Sequence, residues 1–120
     1  MVPGLRSDPV TSATMLDLKP DHLAMVQRIC SEQIPFAQVW AFGSRVTGTA
    51  KKFSDLDLAI DAGRELTLLE RAELREAFQE SDLPMSVDIV DLRSVKPAFR
   101  KLVKQQRVLI QGERSDQMIR

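Results

Sequence analysis

The sequence predicts an α/β domain in which a small mixed sheet of about four strands is flanked by helices. Segments with apolar residues at helical spacing alternate with short runs rich in β-forming residues, in the order helix, strand, strand, helix, strand, helix, strand. The length of 120 residues suits one domain rather than two. Hydrophobic residues make up 43% of the chain, which is enough for an ordinary core without a disulfide.

The first half of the chain predicts one helix and one buried strand. Leu23, Val26 and Ile29 fall at helical spacing, which predicts a helix over residues 22–34 that ends before a proline. The run FAQVWAF at residues 36–42 is rich in β-formers and is stopped by a glycine, so it predicts a strand. A turn-rich connection follows, with room for a short helix.

The second half predicts three strands and two helices. A strand is predicted over residues 56–60, with one apolar face and one mostly acidic face, because Leu56, Leu58 and Ile60 alternate with Asp55, Asp57, Ala59 and Asp61. The pattern Thr67-Leu-Leu-Glu70 is a capping box that predicts a helix to about Ser81. The remaining predicted elements are a strand over 86–92, a helix capped by Ser94 and reaching about Gln105, and a short strand over 107–110.

We expect the folded domain to span residues 19–112. Residues 1–18 mix Pro, Gly, Ser and Thr with scattered apolar residues, which predicts a flexible arm. Residues 113–120 are polar and predict a tail that frays.

Composition indicates a cytoplasmic protein. No run approaches the 18 apolar residues of a membrane span, and the N-terminus lacks the apolar segment of a signal peptide. Cys30 is the one cysteine, which excludes intramolecular disulfides and fits a reducing compartment. Basic and acidic residues number 17 each, so no broad basic field points to direct nucleic-acid binding.

Three aspartates form the candidate catalytic set. Asp55 and Asp57 are two residues apart on a strand, so both project from one face about 6–7 Å apart along the backbone. Asp88 interrupts an otherwise apolar strand, where a carboxylate is costly without a partner or a metal. If those strands are neighbours, the three carboxylates suit two Mg²⁺ ions and in-line displacement at phosphorus. An isolated Asp-x-Asp pair is also typical of the solvated face of an edge strand.

A glycine and a serine precede the aspartates where a strand gives way to a turn. Gly43 allows the backbone to approach a phosphate closely, and Ser44 offers a hydroxyl and a free amide. Arg45, Lys51 and Lys52 add positive charge to the same connection. Their residue types alone do not distinguish a triphosphate site from a hydrated surface loop.

The segment GS, ten residues, then DLD resembles the signature of the DNA-polymerase-β nucleotidyltransferase superfamily. The run GSRVTGTAKKFSDLDLAI is most similar to the minimal nucleotidyltransferases that act as antitoxins in HEPN/MNT toxin–antitoxin pairs. The resemblance implies a polymerase-β-like core over about residues 20–112. It implies that Asp55, Asp57 and Asp88 bind Mg²⁺ and carry catalysis, while Gly43 and Ser44 hold the nucleotide phosphates. Many relatives have Ala-Arg where this chain has Val46-Thr47, so their basic residue is missing here. The remaining phosphate contacts are then expected from Arg45, Lys51 or Lys52, and Arg45 is the nucleotide-binding candidate among them.

The same resemblance implies a reaction with ATP and a HEPN ribonuclease toxin as partner, in which AMP is transferred to a toxin tyrosine. A core of this size has no room for an acceptor domain, so the acceptor is expected to come from another molecule. The sequence contains no tyrosine, which excludes tyrosine self-modification and leaves serine or threonine self-modification open. The alternatives are an antitoxin that neutralises by stoichiometric binding, and a transferase acting on a small hydroxyl compound.

The remaining notable residues favour structural roles. His22 is expected at a helix boundary, Cys30 as a small buried hydrophobe, and Trp40 in the core. Asp61 and Asp91 are expected at strand ends or turns, with Asp91 off the face of Asp88. A basic run on or after the last helix is typical of a solvated face, or else meets an acidic partner or the nucleotide: Lys96, Arg100, Lys101, Lys104 and Arg107.

Overall fold

A computed structural model describes residues 16–51 and 54–112 and confirms the predicted order of elements. The elements are α1 Pro20–Gln33, β1 Gln38–Phe42, α2 Ser44–Thr47, β2 Leu56–Asp61, α3 Leu68–Gln79, β3 Val87–Asp91, α4 Pro97–Gln106 and β4 Val108–Gln111. The short helix α2 occupies the start of the turn-rich connection. The predicted α/β class is therefore confirmed.

The four strands form one mixed sheet in the order β3-β2-β1-β4. Strand β1 pairs antiparallel with both β2 and β4, whereas β2 and β3 are parallel and are connected through α3. Parallel neighbours need such a crossover, because a tight turn reverses the chain direction. In the resulting register Phe42 lies opposite Asp57, and Asp57 lies opposite Asp88.

The two faces of the sheet carry different amounts of apolar surface. Helices α1 and α3 cover one face, where the largest fully buried side chains include Leu58, Ile60 and Leu74. Helix α4 covers the other face, which we call the α4 face and which carries Trp40, Phe42 and Ala59 from the central strands. A smaller cluster covers the α4 face, so part of that face stays open for polar side chains.

The predicted capping box starts helix α3. The Thr67 hydroxyl accepts a hydrogen bond from the Glu70 N–H at 3.0 Å, and the Glu70 carboxylate accepts one from the Thr67 N–H at 2.9 Å. Arg64 donates to both carboxylate oxygens of Glu70 at 2.8 Å. The hydrogen bonds from Arg64, and then from the Thr67 backbone, lower the pKa of Glu70 to about 2.

Loss of this cap is expected to destabilise the domain. Thr67→Ala removes the hydroxyl that satisfies the Glu70 N–H, and we expect the free energy of unfolding to fall by about 1 kcal/mol. Thr67→Ser keeps the hydroxyl and serves as the control. Urea unfolding of the three proteins measures the effect, and equal stabilities of the Ala and Ser variants would contradict it.

Two predicted boundaries are wrong. Strand β1 starts at Gln38 rather than residue 36, because the chain turns at Pro35 and Phe36, leaving Phe36 51% exposed under the Arg64 guanidinium. Helix α4 is not capped by Ser94, whose hydroxyl donates to the Asp91 carbonyl. Pro97 explains the later start, since a residue before proline disfavours the helical conformation and Lys96 is extended.

The predicted arm and tail fall mostly outside the described residues, which begin at 16 and end at 112. Leu16 and Leu18, the described end of the predicted arm, pack against the core beneath α1 and α3. The alternation of these two leucines with Asp17 is the sequence pattern that indicates their packing against the core. Among the described helices, the longest of which has 14 residues, none is long and apolar enough to cross a membrane.

Candidate active site

The structure brings the three predicted aspartates to one end of the α4 face. Asp57 on β2 and Asp88 on β3 are register partners on parallel strands, which lie about 4.8 Å apart. Asp55 directly precedes β2 and, two residues before Asp57, continues the same face. Asp57 is half-buried, while Asp55 and Asp88 are exposed. Burial raises the pKa of Asp57, and the negative charges of Asp88 and Asp55 raise it further.

These carboxylates fit a hard divalent cation by their chemistry. They form an all-oxygen anionic donor set, which Mg²⁺ prefers, and a cation would relieve the repulsion that raises the Asp57 pKa. Within residues 16–51 and 54–112, however, no three acidic, histidine or cysteine side chains are placed to share one ion. Sharing one ion among all three carboxylates would therefore need a different arrangement of these side chains.

Gly43 lies against the Asp57 carboxylate at the end of β1. Its φ of 84° lies in the region that favours glycine. A Cβ built on it would overlap Asp57 Oδ2 and lie 3.2 Å from Asp57 Cγ. The Gly43 N–H donates a hydrogen bond to Gln106 Oε1 at 2.8 Å. A side chain at this position would therefore strain the backbone and force either the turn or the Asp57 carboxylate to move.

Ser44 opens α2 directly beside this glycine. As the first helical residue it has no intrahelical acceptor for its N–H. The Gly43 carbonyl accepts from the N–H groups of Val46 and Thr47, which fixes the turn between β1 and α2. The predicted phosphate-binding pair thus lies at the same end of the sheet as the carboxylates.

Arg45 occupies a different environment from the rest of the predicted set. Its side chain is buried, with Nε and Nη2 donating to the Ser54 carbonyl at 3.0 and 2.8 Å. Its Nη1 donates to the Asp17 carbonyl at 2.9 Å. Arg45 therefore joins the start of the connection after β1 to its end before β2. Of the two other basic candidates, Lys51 is exposed and Lys52 lies outside the described residues.

Most residues that were predicted to have structural roles have them in the structure. Cys30 is fully buried, and burial raises the pKa of its thiol to about 12. Trp40 is in the core, with the Arg107 guanidinium 4.2 Å from its ring centroid. His22 is half-buried at the start of α1 and lines a cavity of about 520 Å³ with Arg45, and none of the three candidate catalytic aspartates lines that cavity.

Asp91 ends β3, as predicted, but it is more deeply buried than that prediction implies. It is 2% exposed, and its carboxylate accepts from the Leu66 N–H at 2.8 Å and the Arg93 N–H at 2.9 Å. Arg71 of α3 approaches it at 3.3 Å. Asp91 therefore ties the connection before α3 to the end of β3, on the face opposite Asp88.

Part of the basic run lines a cleft at the other end of the α4 face. The cleft has a volume of about 410 Å³ and is lined by Arg93, Arg100, Lys104, Arg107 and Asp61, with Gln38 and Leu92. Arg93 pairs with Asp61 at 2.8 Å, and Arg100 donates to the Leu92 carbonyl. Asp61 is four residues from Asp57, or about 13 Å along β2. The cleft is thus separate from the carboxylate cluster.

The fold and the sequence family of this chain are those of a nucleotidyltransferase. A mixed sheet places Asp57 and Asp88 in register beside a Gly-Ser turn, and residues 25–116 match the family described as Polymerase beta, Nucleotidyltransferase. The chain belongs to this family. Among curated relatives it is 48% identical over 102 residues to the probable protein adenylyltransferase MntA of Haemophilus influenzae, covering 85% of this chain and 90% of that protein.

Solved structures of toxin–antitoxin complexes share the fold. One described as a toxin–antitoxin with AMP-PNP has a TM-score of 0.68 and 30% identity, covering 81% of this chain and 78% of that chain. Another contains a tri-AMPylated Shewanella oneidensis HEPN toxin with an MNT antitoxin, and has a TM-score of 0.58 and 25% identity. It covers 81% of this chain and 78% of that chain. The family predicted from the Gly-Ser and Asp-x-Asp motifs is confirmed.

Proposed function

We propose that this chain is an antitoxin that transfers AMP from ATP to a tyrosine of a HEPN ribonuclease toxin and thereby inactivates it. The observation that carries the proposal is the register of Asp57 and Asp88, with Asp55 on the same face and Gly43 against the Asp57 carboxylate. The names of the relatives, a protein adenylyltransferase and an AMPylated toxin complex, support the substrate and the partner. We place the reaction in the cytoplasm, where ATP is available.

The reaction is an in-line displacement at the α-phosphorus of ATP. The acceptor oxygen forms a bond to that phosphorus while the bond to the oxygen bridging the β-phosphorus breaks, and pyrophosphate leaves with the bonding electron pair. Asp88, exposed at the edge of the cluster, is placed to accept the hydroxyl proton. Asp55, Asp57 and Asp88 would hold Mg²⁺, two ions in our proposal. When bound, the metal neutralises phosphate charge and stabilises the attacking and leaving oxygens.

The turn after β1 supplies the phosphate contacts. Gly43 has no side chain to separate the phosphates from Asp57, and Ser44 offers its N–H and hydroxyl beside it. Arg45 is proposed as a nucleotide-site residue that acts by holding the loop, because its guanidinium donates hydrogen bonds to the Ser54 and Asp17 carbonyls.

Intact mass measurement of the mixed proteins tests the proposal. The chain is incubated with its HEPN partner, ATP and Mg²⁺, and we expect the partner to gain the mass of one or more adenylyl groups, with pyrophosphate released. Peptide mapping should place the adduct on a tyrosine of the partner. Chelation of Mg²⁺ with EDTA is expected to abolish the mass gain, and restored Mg²⁺ to recover it.

Two outcomes would overturn it. Complex formation and loss of toxin activity without any mass gain would establish neutralisation by stoichiometric binding. Labelling of a small hydroxyl compound, but not of the partner, would assign the chain to small-molecule transfer.

A further inference from the structure

The last residue of α4 contacts the turn on which the proposed chemistry depends. Gln106 accepts a hydrogen bond from the Gly43 N–H through Oε1 at 2.8 Å, and 63 positions of sequence separate the two residues. The contact is part-buried. Gly43 in turn lies against the Asp57 carboxylate, with no room for even one added carbon atom. Gln106, Gly43 and Asp57 therefore form one continuous line of contacts.

Packing of α4 fixes where the Gln106 side chain starts. Val103, one turn earlier, is fully buried against the α4 face of the sheet. The Phe99 ring meets the Phe42 ring edge to face, with centroids 5.8 Å apart and an interplanar angle of 83°. Phe42 is the residue directly before Gly43 and the register partner of Asp57. The helix is thus anchored to the same strand end that its final side chain holds.

The backbone conformation of Gly43 depends on hydrogen bonds from neighbouring residues. Glycine has more accessible backbone conformations than any other residue, so a hydrogen bond from another part of the chain helps to select the positive-φ conformation of Gly43. The neighbouring carbonyl of Gly43 is occupied by the first turn of α2. Gln106 supplies the acceptor on the N–H side, so both peptide groups that flank the glycine are fixed.

We propose that Gln106 is a positioning residue for the active site: it holds the Gly43 turn in register with Asp57 and so sets where the nucleotide phosphates lie relative to the carboxylates. The effect on catalysis rests on the proposed nucleotidyl transfer, whereas the contacts among Gln106, Gly43 and Asp57 are independent of that function. In this role Gln106 acts through its hydrogen bond with Gly43.

Amide hydrogen exchange tests the geometric step without any activity. We compare the wild-type protein with Gln106→Leu, which removes the acceptor, and Gln106→Glu, which keeps it. Gln105→Leu is the matched control, because Gln105 is the exposed neighbour on the same helix. We expect the Gly43 amide to exchange about 10-fold faster in Gln106→Leu, in line with loss of one hydrogen bond. It should stay protected in the other variants, and equal exchange in all four proteins would overturn the inference.

Steady-state AMP transfer tests the catalytic step. For Gln106→Leu we expect kcat to fall about 10-fold or more, because small misplacements of reacting groups are costly. The KM for the toxin should be unchanged, because the role proposed for Gln106 concerns the placement of the nucleotide. Assays run well below the melting temperature separate this effect from loss of fold. A wild-type kcat in Gln106→Leu would overturn the inference, whereas an inactive wild-type protein would instead overturn the proposed function.

Discussion

Asp57→Asn is expected to lower the rate of AMP transfer by at least ~10³-fold, equivalent to about 4 kcal/mol of transition-state stabilisation. Asp57 is the central carboxylate, register partner of Asp88 and two residues from Asp55, so no neighbour can replace it. The substitution is not expected to weaken the fold. Burial and two negative neighbours raise the pKa of Asp57, so its ionised form destabilises the folded state at neutral pH. The variant should unfold at the same or a higher urea concentration.

The control for this experiment lies on the same strand and face. Asp61→Asn makes the same chemical change about 13 Å away, at a carboxylate paired with Arg93. We expect it to retain transfer within a few-fold of the wild-type rate. Rates are measured with α-labelled ATP and the toxin as acceptor. Undiminished transfer by Asp57→Asn would remove the carboxylate cluster from the mechanism.

Gly43→Ala is expected to reduce transfer by about 100-fold and also to destabilise the domain. The new methyl group would overlap the Asp57 carboxylate, so either the turn or Asp57 has to move. The alanine also inherits a φ of 84° with a ψ of -155°, a region used almost only by glycine that costs about 1–3 kcal/mol for a residue with a Cβ. Both effects arise at one carbon atom, and a control is needed to separate them.

Gly48→Ala provides that control within the same connection. Gly48 has a similar φ of 86°, but its ψ of 12° lies in the left-handed helical region, and a Cβ built on it meets nothing within 4 Å. We expect Gly48→Ala to lose less stability than Gly43→Ala in urea unfolding, and only Gly43→Ala to lose most of its activity. If the two variants lost activity equally, backbone strain in the loop would explain the effect and the contact with Asp57 would not.

Local signals in the sequence were sufficient for most of the fold. Alternation in residues 56–60, the capping box at Thr67 and the helical spacing before Pro35 each identified an element that the structure contains. The errors fell where proline decides the conformation of its neighbours. At Phe36 and at Ser94 the residue type favoured the predicted role, but a nearby proline moved the start of the element.

In the candidate site, too, the residues marked by local sequence patterns were predicted, and the contacts between distant residues were not. The spacing of Gly43, Ser44, Asp55 and Asp57 along the chain identified these residues, and the parallel pairing that adds Asp88 followed from assuming neighbouring strands. Gln106 had no such signal, because a glutamine at the end of an amphipathic helix is common and its partner is 63 positions away. The burial of Arg45 was equally hidden, since only the folded connection brings Ser54 and Asp17 to its guanidinium.

The central position of β1 has a consequence for the order in which the protein is made. Its partner on one side is β4, which spans Val108–Gln111. Gln106 lies two residues before the start of that strand. While the ribosome is still synthesising the chain before residue 108, β1 therefore has an unpaired edge, the kind of edge that promotes association with other chains. The Gly43 turn also lacks its glutamine until then. Closure of the sheet and completion of the Gly43 turn therefore both wait for residues 106–111.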